Sequence, residues 1–204
     1  TAEGYQNGEA EKNLGQALKH MDRKKVFITT KLPCDKNTTK EEILKRFDTS
    51  QKKLDTEYVD ALYLHGVTDI DLLDHQGFHE STNKLKRDGR LRFIGLSSHG
   101  PYKDDQDSME DVLCAAAEDG RFDLMLLVYN FMNKDAGNRI IKACKENDVG
   151  TTAMKTSPGV LNFEPVDPEN LSKSQEKIVE RLMEIKGFSR QRAIRGMQNT
   201  LDDK

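Results

Sequence analysis

Five short apolar runs recur along the chain at a nearly constant interval, and this interval constrains the fold more than any other feature. They are 26–31, 59–65, 92–97, 124–129 and 150–155, so each run starts about 33 residues after the last until the fifth, which follows after about 26. Several are apolar throughout rather than alternating, which marks strands buried on both faces of a parallel sheet. Helical patterns lie between them. Ala10, Leu14, Ala17, Leu18 and Met21 make one apolar stripe. Ile43, Leu44, Phe47 and Leu54 make another, behind Thr38-Thr39 as N-cap and the acidic Glu41 and Glu42. Ser108 caps a helix with Met109, Val112, Leu113 and Ala116 on one face, and Ile140, Ile141, Ala143 and Cys144 mark the next. Gly89, Gly120 and Gly150 fall where helices should stop.

The pattern is that of repeated βα units, an α/β fold. A closed eight-unit barrel takes roughly 250 residues. The rhythm of a 204-residue chain fits either an incomplete barrel or a doubly wound sheet and does not separate them. No G-x-G-x-x-G follows any of the strands, which counts against a dinucleotide-binding half of the Rossmann type. After Lys155 the rhythm ends. Pro158, Pro165 and Pro168 punctuate a loop, Ser172 or Ser174 opens a charged helix, Gly187-Phe188-Ser189 breaks it, and a second short helix starts at Arg190. The reading is one domain, with a barrel segment over 1–159 and a loop and helical extension over 160–204.

Charge and cysteines narrow the function classes. The 32 basic and 35 acidic residues are interspersed and sum to −3, so no general grip on nucleic acid or an anionic membrane is expected. No apolar run approaches the length of a bilayer span and no signal-peptide pattern stands at the start, so a cytoplasmic location is expected. Cys34, Cys114 and Cys144 are scattered and odd in number, and reduced thiols are the simpler reading than disulfides, zinc or an iron–sulfur cluster. Asp69, Asp71, Asp74, His75 and His79 fit no standard ligand spacing and read as a solvated loop and helix start; no metal is expected.

In α/β barrels, catalytic groups sit at the C-terminal ends of strands. Here those ends carry Lys31, His65, Ser97-Ser98-His99, Tyr129-Asn130 and Lys155. Each alone has a bland explanation as a solvated terminus, a hydrogen-bonded histidine, turn chemistry or a core aromatic. Together they carry more. Lys31 and His65 end successive strands and so share a face, about 5–10 Å apart at a strand spacing near 4.8 Å. A cationic lysine beside a tyrosine favours negative charge on the phenol, and a histidine N–H holds a substrate oxygen; together these form the apparatus of a general acid acting on a carbonyl.

At these residues the chain resembles the aldo-keto reductase family. Thr1-Ala2-Glu3-Gly4-Tyr5-Gln6-Asn7-Gly8-Glu9-Ala10-Glu11 resembles its D-T-A-x-x-Y-G-x-G-x-x-E signature, and 26–31 its lysine strand. Tyr58–His65 resembles Y-V-D-L-x-x-x-H, and Gly89–Ser98 resembles G-K-I-R-x-I-G-V-S-N. The resemblance favours the barrel, a (β/α)8 TIM barrel present as about five βα units, lacking the first two strands and the last. It implies an NAD(P)H-dependent oxidoreductase that reduces a small-molecule carbonyl to an alcohol. NADPH is the expected cofactor, with NADH as the alternative. By position Tyr5 is the general acid, Lys31 the group that lowers its pKa, and His65 the one that orients the carbonyl. Ser97 and Ser98 stand where the nicotinamide carboxamide is held, Asn130 closes the strand's Tyr-Asn pair, and Ser157-Pro158 resembles the pyrophosphate loop.

The chain departs from the family pattern in places. The family's catalytic aspartate would stand just before Thr1. Leu126 takes the place of a carboxamide-binding glutamine, Thr156 that of a stacking tyrosine, and Ser98 that of an asparagine. A non-catalytic cofactor-binding regulatory module, with a partner protein bound through 172–204, is therefore the second expectation. An inactive fragment of low stability is the third.

Overall fold

The fold is described from a computed structural model that covers residues 1–156 and 167–194. Five strands form one sheet in the order β1-β2-β3-β4-β5. They are β1 (Thr29–Leu32), β2 (Val59–Leu64), β3 (Leu91–Ser98), β4 (Leu124–Val128) and β5 (Gly150–Met154). The first four pair in parallel, each with its successor. The helices are α1 (Ala10–Leu18), α2 (Lys40–Leu54), α3 (Gln76–Arg87), α4 (Met109–Asp119), α5 (Lys134–Glu146) and α6 (Lys173–Lys186). This is the alternation that the apolar runs predict. None of the helices among the described residues is long and apolar enough to cross a membrane.

The chain packs as two compact units, Thr1–Leu127 with Asn138–Thr152, and Val128–Gly137 with Ala153–Lys204. In the first unit every residue of β2 is buried. Ile43, Phe47 and Leu54 of α2 and Phe78 and Leu85 of α3 are buried with it, each such side chain contributing about 1.5–3 kcal/mol. Thr39 caps α2 through a full capping box with Glu42, Ser108 caps α4, and Gly120 ends α4 in the left-handed region at φ 79°.

Asp60 is the one acid inside β2 and is 1% exposed. It receives the Ile28 N–H at 2.8 Å, Arg23 at 2.8 Å and Arg92 at 2.6 Å, and Arg23 also lies 3.8 Å over the Tyr58 ring. Burial alone would raise its carboxyl pKa, but these donors hold it below the usual aspartate range.

The structure corrects three expectations. The first strand was expected from Val26 but begins at Thr29, because Arg23–Lys25 form a turn of 3-10 helix and the Ile28 N–H goes to the Asp60 carboxylate. Met21 lies beyond the end of α1 and is 53% exposed rather than on its buried stripe. Gly150 opens β5 rather than stopping a helix; the left-handed residue after α5 is Asp148, at φ 56°. Between β2 and β3 the chain also forms a 3-10 turn (Ile70–Asp74) and all of α3, where the sequence shows no apolar stripe.

In the second unit, Ser172 and Gln175 form the capping box of α6 and Gly187 ends it at φ 62°. Residues 190–194 are again helical. Ile178, Val179, Ala193 and Ile194 make a small core with Phe131, Met132 and Leu182 against it. Arg181 ties α6 to the Phe131 carbonyl at 3.3 Å and to Asp135 in the first turn of α5 at 2.9 Å.

Candidate active site

Strand register assembles the site. Lys31, Tyr63 and Gly95 stand side by side across β1, β2 and β3. Side chains alternate faces with a period of two, so His65 and Ser97, two residues beyond Tyr63 and Gly95, lie on the same face. Gly95 is small of necessity, since a Cβ there would lie 2.6 Å from the Tyr63 ring. Tyr63 and Gly95 form the floor beneath the strand-end residues; the sequence signal for them is this same period of two, counted back from His65 and Ser97.

Tyr5 arrives from outside the strands. Residues 1–3 run alongside β1, with Thr1 and Glu3 donating from their backbone nitrogens to the Thr29 and Lys31 carbonyls at 3.0 and 3.3 Å. The chain then turns through Tyr5–Gly8, where Gln6, Asn7 and Gly8 all take positive φ, of 53°, 54° and 87°. A turn closed by the Tyr5 N–H on the Ala2 carbonyl at 3.2 Å precedes Tyr5, and the left-handed residues that follow it lead the chain into α1. The Lys31 Nζ sits 4.7 Å from the Tyr5 ring centroid, and the Tyr5 and His65 rings meet edge to face at 5.8 Å. Tyr5 remains 44% exposed and open to a ligand.

The electrostatics suit this cluster. Burial, followed by the positive field of Lys31 and His99, pushes the His65 imidazole down to about 4. His65 is therefore neutral at neutral pH and keeps a ring N–H to donate. Burial also holds the Lys31 ammonium below the usual lysine range, while its Nζ donates to the Thr1 carbonyl at 2.5 Å.

The remaining expected site residues lie as follows. Ser97 and Ser98 are fully buried. The Ser97 Oγ accepts the Gly66 N–H at 3.0 Å, and the Ser98 Oγ accepts the Gly100 N–H at 3.2 Å. By alternation Ser97 shares the face of Lys31 and His65, and Ser98, the last residue of β3, takes the opposite one. In the second unit the Asn130 side chain is taken up by backbone: Nδ2 donates to the Lys155 carbonyl at 2.9 Å, and Oδ1 accepts the Met132 N–H at 2.9 Å. Ser157 lies outside the described residues. Asp69 and Asp71 pair with Lys36, and Asp74 pairs with Arg121. His75 serves as N-cap of α3, its Nδ1 accepting the Phe78 N–H at 3.0 Å and its Nε2–H donating to the Asp35 carbonyl at 2.8 Å.

Comparison with known proteins bears on the fold and the family. A probable aldo-keto reductase from Glycine max is 27% identical over 159 residues, 74% of this chain and 42% of that protein. A methylglyoxal reductase from Salmonella typhi is 32% identical over 100 residues, 48% of this chain and 36% of that protein. Among solved structures, the holo form of an aldo-keto reductase from Bacillus halodurans superposes with a TM-score of 0.64 at 24% identity, over 88% of this chain and 59% of that one. The chain thus spans less than half the length of these two curated relatives. The sequence profile of the aldo/keto reductase family matches residues 1–185, and the chain belongs to that family.

Proposed function

We propose that this chain carries the catalytic corner of an NAD(P)H-dependent carbonyl reductase, with Tyr5 as proton donor, Lys31 as its electrostatic partner and His65 as the residue that orients the carbonyl. The observation that carries the reading is the meeting of Lys31 and His65 at the Tyr5 ring, 4.7 and 5.8 Å away. When bound, a reduced nicotinamide supplies hydride to the carbonyl carbon.

The residues present fit such a cofactor at its reactive end. Ser97, fully buried on the face of Lys31 and His65, accepts the Gly66 N–H with its Oγ and would hold that backbone at the nicotinamide's end. Asn130 and Ser157 are proposed as cofactor contacts on the family membership alone.

The proton chemistry follows from the chain's own groups. The neutral His65 donates a ring N–H to the carbonyl oxygen and fixes its position. Tyr5 delivers its phenolic proton to that oxygen, and the Lys31 ammonium stabilises the negative charge left on the phenol. Exposure of Tyr5 gives a small carbonyl access to that proton. Methylglyoxal is the first substrate to test, since a relative is named for it. The assay is oxidation of NADPH, and separately NADH, with methylglyoxal and a panel of small aldehydes. Steady turnover with at least one carbonyl is expected; cofactor binding without turnover on the whole panel overturns the reading. That second outcome would favour a non-catalytic cofactor-binding module, a reading supported by the apolar Leu126 standing beside Ser97 in register.

A further inference from the structure

Tyr63 lies within β2 and is 3% exposed, and the proton chemistry above gives it no task. It shares a face with Lys31 and His65. Its ring leans onto the neighbouring strand: a Cβ on Gly95 would lie 2.6 Å from its Cδ1 and Cε1 and 2.8 Å from its Cζ. One edge of the ring therefore covers the only residue without a side chain in the row Lys31, Tyr63, Gly95 and Leu124. From there the hydroxyl reaches towards Thr152 of β5.

The next row towards the strand ends holds His65, Ser97 and Leu126. It stands two residues further along, about 6.7 Å at the rise of a strand. The ring on Gly95 thus occupies the gap beneath that row, which water would otherwise fill. Burial is the first reason that the His65 imidazole is held at about 4, although the Tyr5 ring beside it is 44% exposed. The dry side of the imidazole is therefore the one turned to the sheet, where Tyr63 stands. The charges that face it come from other elements. Lys31 on β1, His99 after β3 and the Thr1 ammonium disfavour a positive imidazole, and Glu3 favours it. All four remain when Tyr63 is replaced, so a change in the His65 titration reports the ring.

We propose that Tyr63 is a positioning residue: laid over Gly95, its ring keeps water out from beneath His65 and holds the imidazole where it meets the carbonyl oxygen. Its value to the reaction rests on the reading of His65 given above; the packing beneath His65 does not. Phenylalanine keeps the ring and should serve as well. Leucine is too short to cover Gly95, and it opens a space bordered by Thr152 and the imidazole that is polar enough to take up water. Water beneath the imidazole stabilises its charged form.

The test is an NMR titration of His65 in the folded parent and in Tyr63→Phe, Tyr63→Leu and Tyr63→Ala. The parent and Tyr63→Phe should share a midpoint near 4. In Tyr63→Leu and Tyr63→Ala the proton affinity of the imidazole should rise at least about tenfold, towards the ordinary midpoint of about 6.5. A merely structural loss lowers the stability of these variants and leaves the midpoint where it was. Any of three results overturns the proposal: an unchanged midpoint in Tyr63→Leu, a Tyr63→Phe midpoint that moves as far as that of Tyr63→Leu, or an ordinary midpoint in the parent. The parent and the leucine variant decide it even if Tyr63→Ala fails to fold. NADPH oxidation with methylglyoxal keeps the two readings apart. A kcat/KM about tenfold lower in Tyr63→Leu than in Tyr63→Phe supports both, whereas a parent without turnover sinks the reductase reading and leaves the titration to decide this one.

Discussion

Replacing Gln6 by glycine should stabilise the protein, although it removes a hydrogen bond and places a flexible residue next to the proposed proton donor. Gln6 sits at φ 53°, a left-handed conformation that costs an ordinary L-residue about 1–2 kcal/mol. Glycine escapes that cost but brings about 0.5–1 kcal/mol of extra chain entropy to the unfolded state. The lost contact is the exposed hydrogen bond from Asn13 Nδ2 to Gln6 Oε1, at 3.3 Å, worth a few tenths of a kcal/mol at the surface. The net expectation is a gain of about 0.5 kcal/mol, or about 1–2 °C in Tm for a chain of this size. Gln6→Ala keeps the strained backbone and loses the hydrogen bond, so it should be slightly destabilised. The glycine variant should then exceed the alanine variant by about 1 kcal/mol. Gln16, exposed inside α1, is the control, because there alanine should exceed glycine by about the same amount. Urea unfolding of the four variants decides it. If alanine equals or exceeds glycine at position 6, the left-handed turn after Tyr5 is not strained and this reasoning fails.

Two further predictions follow from charge and burial. Asp60→Asn leaves Arg23, Arg92 and the Ile28 N–H without their carboxylate and should cost about 3–5 kcal/mol in urea unfolding; a loss below 1 kcal/mol would show that the cluster is not holding the start of the sheet. His65, with its imidazole near 4 in the folded state, stays neutral while the unfolded chain takes up a proton at its ordinary value of about 6.5. As pH falls from about 6.5 towards 4, the unfolded state binds more protons, so this group's share of stability is lost across that window. An NMR titration should place the His65 transition near 4, and an ordinary midpoint near 6.5 would refute the burial argument.

Much of the fold is legible because parallel strands buried on both faces read as unbroken apolar runs and the helix caps carry their own signatures at Thr39, Ser108 and Ser172. The failures have physical causes. Helix α3 shows in the sequence only as a start near His75 and His79 and a stop at Gly89, because its buried face uses Ser81 and Thr82 alongside Phe78 and Leu85, so no apolar period appears. The start of β1 shifted because a backbone N–H chose the Asp60 side chain over the ladder, a choice that apolar runs do not record. At the site, the grouping of Lys31 with His65 follows from strand order alone. Tyr5 sits between a turn closed on the Ala2 carbonyl and three successive left-handed residues, of which only Gly8 announces itself in composition. Asn130 illustrates the converse: an expected site residue whose side chain is taken up by the Lys155 carbonyl and the Met132 N–H.

The central claim is that Tyr5 donates the proton with Lys31 and His65 beside it. The most direct measurement compares NADPH binding, followed by the cofactor's own fluorescence, with NADPH oxidation by methylglyoxal in the parent and in Tyr5→Phe. The account predicts that removing the phenolic proton leaves binding unchanged and lowers kcat at least about 100-fold, the usual worth of a general acid. Equal turnover in parent and variant would contradict it.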